Sequence, residues 1–329
     1  MGGDRTNMKF IFFGTPDYVL PVLNALHKTF KDRHGNSPIA AVVTQPPKPV
    51  GRTKKVEYSA VDTWAHKRDI PVYFDSNKLV EDGVEADMGI VASYGAMISD
   101  AVLNYFPKGL LNIHPSELPE FRGASPVPAM LVTGKAEAVV SIMEIDQEMD
   151  HGAIVSKFKE EIAPDDTTAS LLTRLFDRSA EVLIKMIPPY LDKKISPKPQ
   201  DNKKAVYTKL IKKEDGFIPF EVLEAVQKGE SVKNATQIAF IYTKAKDGSK
   251  TPYSIVHTPE TVERFIRTMN PWPGVWSEIA IKKGDKTVQK KLKIREAHIE
   301  EEKLILDTVQ LEGKNPVSWK QFKEAYRVI

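Results

Sequence analysis

The stretch that decides the fold is Lys9-Phe-Ile-Phe-Phe-Gly-Thr-Pro-Asp-Tyr-Val-Leu-Pro-Val-Leu-Asn-Ala-Leu26. It opens with a short apolar run, which Gly14-Thr15-Pro16 interrupts. After the interruption, apolar residues recur at the spacing of a helix face, at Val19, Val22, Leu23 and Leu26. This order predicts a buried strand, a tight turn and an amphipathic helix.

The same alternation of strand and helix patterns continues along the chain. Short apolar runs typical of buried strands lie at residues 39–43, 72–73, 88–92, 110–113 and 139–145. Helical spacing is found at residues 62–68, 100–105 and 169–186. Strands that alternate with helices favour a Rossmann-like α/β domain with a parallel-rich sheet. Ligands of such sheets bind beyond the carboxyl ends of the strands, so we expect the residues that follow them to share one crevice.

The length of 329 residues predicts about two domains. We expect a flexible extension over 1–7, an α/β domain over 8–187, a linker rich in proline and lysine over 188–204, and a second domain over 205–329. In the second domain, helical spacing occurs at 222–226 and 262–269. Strand-like runs occur at 253–256, 275–281, 291–294 and 303–309. Short strands with added helices predict a smaller β-barrel.

Charge is distributed unevenly between the two halves of the chain. Residues 205–329 hold 22 basic and 17 acidic side chains, whereas residues 1–204 hold 25 and 27. A basic half is typical of a surface that binds a polyanion, and equally of a solvated lysine-rich surface. The chain has no cysteine, which excludes disulfides and a thiol nucleophile, and it contains no apolar run long enough to predict a membrane span.

Several common sites are excluded by their missing motifs. Gly14-Thr15-Pro16 lacks the further glycines of a dinucleotide loop, and Gly134-Lys135 is followed by Ala136 instead of the Ser or Thr of a phosphate-binding loop. The seven histidines are scattered, without the H-E-x-x-H spacing, so we predict no metal. No G-x-S-x-G serine motif is present.

The segment Asn112-Ile-His114 carries two polar residues at the end of a predicted strand. Residues two apart on a strand point to the same side, so both side chains would project together. Asp150 follows the next strand, and its carboxylate would orient and charge the imidazole. An amide, an imidazole and a carboxylate suit transfer of an acyl group to an amine. A purely structural role near a turn remains the alternative interpretation.

A proline-stiffened basic loop follows the second strand, with Lys48, Arg52, Lys54 and Lys55. It is either an exposed surface loop or an arm that contacts phosphates beside the crevice.

Asn112-Ile-His-Pro-Ser-Glu-Leu-Pro-Glu-Phe-Arg-Gly-Ala-Ser-Pro126, followed by Asp150, resembles the signature of the folate-dependent formyltransferases. The opening Phe12-Phe-Gly-Thr-Pro-Asp17 and the loop at residues 44–55 resemble the branch of that family that formylates methionyl-tRNA. Lys209-Leu-Ile-Lys-Lys-Glu-Asp-Gly216 and Arg267-Thr-Met-Asn-Pro-Trp-Pro-Gly274 continue the similarity.

The resemblance implies an enzyme that moves a formyl group from 10-formyltetrahydrofolate to the α-amine of methionine on initiator tRNA in translation initiation. It implies a Rossmann-like catalytic domain followed by a smaller, OB-like β-barrel. It also implies a cytoplasmic, monomeric protein with catalytic residues Asn112, His114 and Asp150. The implied folate-binding residues are Ser93, Tyr94, Gly95, Ser116, Glu117, Leu118, Pro119 and Asp146. The implied tRNA-binding residues are Lys48, Arg52, Lys54 and Lys55, together with the second domain.

Two alternatives share the catalytic segment. One is a sugar-nucleotide N-formyltransferase, which would not need the basic loop or the basic second domain. The other is an RNA-binding relative without catalysis. Glu117 stands where the family usually has leucine, which leaves this second alternative open, and residues 221–260 are longer than usual for the family.

Overall fold

The computed structural model describes residues 8–50, 55–283 and 286–326. The predicted extension at 1–7 lies outside these ranges. The strands are β1 Phe10–Gly14, β2 Ile39–Val43, β3 Lys48–Val50, β4 Lys55–Glu57, β5 Val72–Tyr73, β6 Met88–Ala92, β7 Leu110–His114, β8 Arg122–Gly123, β9 Glu137–Glu144, β10 Ile154–Glu161, β11 Val206–Thr208, β12 Val232–Lys244, β13 Lys250–His257, β14 Val275–Lys283, β15 Lys286–Glu300, β16 Lys303–Leu311 and β17 Val317–Ser318. The helices are α1 Leu20–Thr29, α2 Ala60–His66, α3 Ser76–Glu81, α4 Asp100–Leu103, α5 Pro126–Val132, α6 Thr168–Leu191, α7 Phe220–Gln227, α8 Pro259–Met269 and α9 Trp319–Ala325.

A seven-stranded sheet, in the order β10-β9-β7-β6-β1-β2-β5, forms the centre of the first part of the chain. The pairs among β5, β2, β1, β6 and β7 are parallel, and β9 runs antiparallel to β7. β1 is buried along its whole length, as expected for a strand covered on both faces. The predicted Rossmann-like α/β domain with a parallel-rich sheet is confirmed.

The turn after β1 depends on a glycine. A Cβ atom at Gly14 would lie 2.9 Å from the carbonyl oxygen of Ala92 and 2.6 Å from the Phe12 ring. Glycine therefore lets the ends of β1 and β6 approach closely. Pro21 in the first turn of α1 suits a helix start, and Val22, Leu23 and Leu26 form its buried face.

The C-terminal part of the chain is mainly antiparallel β structure, as predicted. β14, β15, β16 and β17 form one sheet, and β11, β12 and β13 form an antiparallel group in another. α8 contacts strands of both sheets through a buried face that includes Val262, Phe265 and Ile266.

The chain forms two compact units, and neither is continuous in sequence. One comprises residues 1–122, 138–160 and 172–205, and the other comprises 123–137, 161–171 and 206–329. Residues 188–191, in the predicted linker, form the end of α6, and Lys198 forms an antiparallel bridge with Ile154. The predicted boundaries at 187 and 205 stay a prediction.

No helix in the described ranges has both the length and the apolar character needed to cross a membrane.

Candidate active site

The structure brings Asn112, His114 and Asp150 together at the carboxyl end of β7. The Asn112 Nδ2 atom donates to Asp150 Oδ1 at 3.3 Å, and the His114 Nδ1 atom lies 3.7 Å from the same oxygen. His114 is buried, with 5% of its surface exposed. The two β7 side chains share one face of the strand, and one carboxylate faces both of them.

The contact of the other ring nitrogen of His114, Nε2, shows which of the two nitrogens carries a proton. Nε2 lies 3.0 Å from the backbone carbonyl oxygen of Phe121, which only accepts hydrogen bonds. Nε2 therefore carries a hydrogen, and Nδ1 faces the carboxylate of Asp150. Protonation at Nδ1 would complete an ion pair with that carboxylate, so the geometry suits an imidazole that holds or moves a proton.

Asp150 is held in an uncommon backbone conformation. Its φ of +48° lies in the left-handed region, which costs about 1–2 kcal/mol for a residue other than glycine. Two residues later, a Cβ at Gly152 would lie 1.9 Å from the carbonyl oxygen of Glu144. The loop between β9 and β10 thus passes directly over the end of β9.

The end of β9 is fixed by a hydrogen bond from α6. The Tyr190 hydroxyl donates to Glu144 Oε1 at 2.8 Å. Burial, followed by the neighbouring Glu144 carboxylate, raises the pKa of Tyr190 far above its ordinary value. The phenol therefore stays protonated at neutral pH and donates this bond.

The loop after His114 is held by the buried Ser141 hydroxyl and by the Lys157 amino group. The Ser141 hydroxyl donates to Ser116 O at 2.7 Å and accepts from Leu118 N at 3.3 Å, while Lys157 Nζ donates to Leu118 O at 2.6 Å. The Leu118–Pro119 peptide bond is cis. Of the predicted folate-binding residues here, Ser116 and Leu118 are buried, Pro119 is half-buried and Glu117 is exposed.

The other predicted folate-binding residues lie in two further segments. Ser93 and Gly95 have positive φ in the turn after β6, and the buried Tyr94 ring packs edge-on against Phe13 at 5.6 Å. The Asp146 carboxylate is partly exposed and lies 2.7 Å from His151 Nδ1. The Tyr94 carbonyl oxygen accepts from Thr15 Oγ1 at 3.2 Å and from Gln45 Nε2 at 3.4 Å, whereas the Asp146 side chain is accessible.

The basic loop is only partly described. Lys48 and Lys55 lie on the antiparallel hairpin of β3 and β4, and both are exposed. Arg52 and Lys54 lie outside the described residues.

Three residues near the site were not predicted from the sequence to be site residues. Arg122 is 2% exposed, and its guanidinium donates to the side chains of Gln200 and Asn202. Arg122 stands within the quoted signature, but a sequence does not reveal that an arginine is buried. Gln200 and Asn202 lie in the proline- and lysine-rich segment, where no local pattern points to a role.

Within the described ranges, no three His, Asp or Glu side chains lie close enough together to hold a metal ion.

The comparisons with known proteins agree with this geometry. The sequence model of the formyl transferase family matches residues 8–187. The methionyl-tRNA formyltransferase of Buchnera aphidicola subsp. Schizaphis graminum is 32% identical over 274 residues, which covers 81% of this chain and 74% of the relative.

Two solved structures share the fold. A methionyl-tRNA formyltransferase from Clostridium thermocellum matches with a TM-score of 0.51 and 15% identity, over 92% of this chain and 98% of the other. The N-formyltransferase from Helicobacter canadensis, solved with folinic acid and dTDP-3-aminofucose, matches with a TM-score of 0.57 and 13% identity, over 94% and 98%. The family match and the relative's identity over most of its length are decisive: the chain belongs to the formyl transferase family, among the methionyl-tRNA formyltransferases.

Proposed function

We propose that this protein transfers the formyl group of 10-formyltetrahydrofolate to the α-amine of methionine esterified to initiator tRNA. The observation that carries the proposal is the cluster of Asn112, His114 and Asp150 at the end of β7, in a chain that matches formyl transferases over residues 8–187. An amide donor, an imidazole and a carboxylate are the groups that acyl transfer to an amine requires.

Asn112 and His114 stabilise the charge that develops on the formyl oxygen. As the amine nitrogen bonds to the formyl carbon, the carbonyl electron pair moves to oxygen, and donors held in a buried site stabilise that oxygen most. The second N–H of the Asn112 Nδ2 amide is such a donor, and the positive charge of a protonated His114 adds to the stabilisation. No covalent bond to the protein is needed.

Asp150 stabilises the charged imidazole and assists proton transfer. The amine loses one proton as it becomes an amide, and the folate nitrogen gains one as its bond to the formyl carbon breaks. His114, paired with Asp150 at 3.7 Å, is placed to relay that proton.

The exposed groups around the cluster fit a folate. The carboxylates of Glu117 and Asp146 and the backbone after β6 offer the acceptors and donors that a folate ring, rich in N–H and carbonyl groups, requires. When bound, the folate supplies the activated formyl group. Ser93, Tyr94, Gly95, Ser116, Leu118 and Pro119 would complete its site, largely through the backbone.

The acceptor would bind through basic groups. Lys48 and Lys55, with Arg52 and Lys54 of the same loop, would contact the acceptor end, and the basic residues of 205–329 would contact phosphates farther along the tRNA. A monomer that acts in the cytoplasm is part of this proposal.

A test of acceptor choice decides the function. Purified protein is given 10-formyltetrahydrofolate with methionyl-initiator tRNA, uncharged initiator tRNA, or an amino-sugar nucleotide, and formylated product is measured by mass. We expect product only with methionyl-initiator tRNA. The matched control is His114→Ala, which should remove the product while the protein stays folded.

Formylation of the amino-sugar nucleotide alone would replace the proposed acceptor. Binding of tRNA without formylation of any acceptor would indicate a non-catalytic RNA-binding relative.

A further inference from the structure

Gln200 lies directly behind the loop that carries Asp150. Its Nε2 atom donates to the backbone carbonyl oxygens of Asp150, at 2.9 Å, and of Gly152, at 2.8 Å. Its Oε1 atom accepts from Arg122 Nε at 3.2 Å and from Arg122 Nη2 at 2.7 Å. One amide thus joins a buried arginine to two carbonyl groups of the Asp150 turn.

The orientation of this amide is fixed by chemistry. A guanidinium only donates hydrogen bonds, and a backbone carbonyl only accepts them. Oε1 must therefore face Arg122, and Nε2 must face the two carbonyl groups. Flipping the amide would place its oxygen against two carbonyl oxygens and its NH2 against the guanidinium.

The two carbonyl groups lie on either side of His151, at the point where the chain adopts a positive φ. By holding both of them, Gln200 fixes the plane of the peptide that follows Asp150 and of the peptide that follows Gly152. The direction of the Asp150 side chain follows, towards Asn112 Nδ2 at 3.3 Å and His114 Nδ1 at 3.7 Å.

A second series of hydrogen bonds from Arg122 holds His151, the residue between the two carbonyl groups. Arg122 Nη2 donates to Asn202 Oδ1 at 2.7 Å, and Asn202 Nδ2 lies 2.9 Å from His151 Nε2. His151 Nδ1 in turn lies 2.7 Å from Asp146 Oδ2. Arg122 therefore donates to both Gln200 and Asn202, and Gln200 donates to the backbone carbonyl oxygen of Asp150.

We propose that Gln200 is a positioning residue for formyl transfer, which acts by fixing the peptide that follows Asp150 and the peptide that follows Gly152. This inference rests on the role proposed for Asp150. Gln200 itself does not touch the reacting atoms. Its contribution is to keep one carboxylate aimed at Asn112 and His114.

The test is Gln200→Glu, which keeps the shape and the contact with Arg122 but replaces the donor by an oxygen facing two carbonyl oxygens. Mutating the hydrogen-bond partners that orient metal ligands typically costs about 10- to 100-fold in activity, and we take the same scale for a partner that orients a catalytic carboxylate. We expect a fall in kcat of about that size, with KM for the folate and for methionyl-tRNA within about twofold of wild type. Gln147→Glu is the matched control, since it makes the same change at an exposed position of the same loop.

A double-variant cycle separates positioning from a general structural effect. If Gln200 acts through Asp150, Gln200→Glu should lower kcat little further in an Asp150→Asn background. A full additional loss in that background, or a kcat of Gln200→Glu within about twofold of wild type, would overturn the inference.

Gln200→Met covers the case in which Gln200→Glu does not fold, because it removes the donor without adding a charge. Circular dichroism and the thermal midpoint establish that each variant is folded. If Asp150→Asn itself keeps full activity, the role proposed for Asp150 fails, and that result is distinct from failure at Gln200 alone.

Discussion

At the scale of residues, the charge of Asp150 is the feature that the proposed chemistry needs most. Its carboxylate lies 3.7 Å from His114 Nδ1 and accepts a hydrogen bond from Asn112. An asparagine in its place would keep the size and an acceptor for Asn112, but it would not stabilise a protonated imidazole.

We therefore predict that Asp150→Asn lowers kcat by about two to four powers of ten while the fold is retained. Steady-state formylation kinetics with circular dichroism as a fold check would measure this. Glu148→Gln is the control, because it removes the same charge from an exposed position of the same loop. Equal losses in both variants would mean that loop charge in general, and not the contact with His114, matters.

The sequence could predict part of this cluster. The spacing of Asn112 and His114 on a strand implies that they share a face. The order of strands does not place Asp150, because β9 runs antiparallel to β7 and ends opposite Leu111, so the loop after β9 must carry Asp150 back to the cluster. Gln200 could not be predicted, because it lies in a segment with linker composition. Its role depends on a contact with Arg122, which is 78 positions away in the sequence. Burial of Arg122 is a property of the folded chain alone.

At the scale of elements, the sequence predicted most of those with clear apolar patterns and missed several others. β12 was missed although it holds the apolar run at residues 238–242. β10 carries lysines and glutamates and lies at the edge of the sheet, where its exposed positions need no apolar residue. α5 contains prolines, which favour loops, but Pro126 lies in its first turn, where proline is tolerated. Tertiary packing outweighs local preference in both cases.

The loop between β9 and β10 supplies a prediction at this scale. Gly152→Ala would place a Cβ 1.9 Å from the Glu144 carbonyl oxygen, and backbone cannot yield as a flexible side chain can. We expect a loss of about 2–3 kcal/mol in the free energy of unfolding and a lower kcat, because the Asp150 turn must shift.

Gly35→Ala is the comparison variant. Gly35 has a φ of +81° and open space around a built Cβ, so alanine there should cost only about 1 kcal/mol of backbone strain and leave kcat unchanged. Chemical denaturation of both variants measures the difference. A Gly152→Ala protein as stable and active as Gly35→Ala would show that the close approach is not needed.

At the scale of the whole molecule, positive charge should govern the affinity for tRNA. Lys48 lies opposite Glu57 across the hairpin of β3 and β4, so a carboxylate partly offsets its charge. Lys55 lies opposite Val50 and is exposed, which makes it the better probe of this surface.

We predict that Lys55→Ala weakens tRNA binding and reduces the slope of log affinity against log salt concentration by about one. Lys78→Ala is the control, since Lys78 is exposed on α3 but paired with Asp82 at 3.0 Å. Binding isotherms at several salt concentrations measure both slopes. An unchanged slope for Lys55→Ala would remove this lysine from the tRNA interface.

The interleaving of the two compact units has a consequence for how the protein is made. α5 packs against α8, and the Thr168 hydroxyl bonds to the backbone of Thr268 at 2.8 Å within the same unit. During translation at about 5–20 residues per second, the stretch between Val132 and Pro259 takes on the order of ten seconds to emerge from the ribosome. Over that interval the apolar face of α5 has no α8 to cover it, so the nascent chain offers a binding surface to chaperones before the second unit can close.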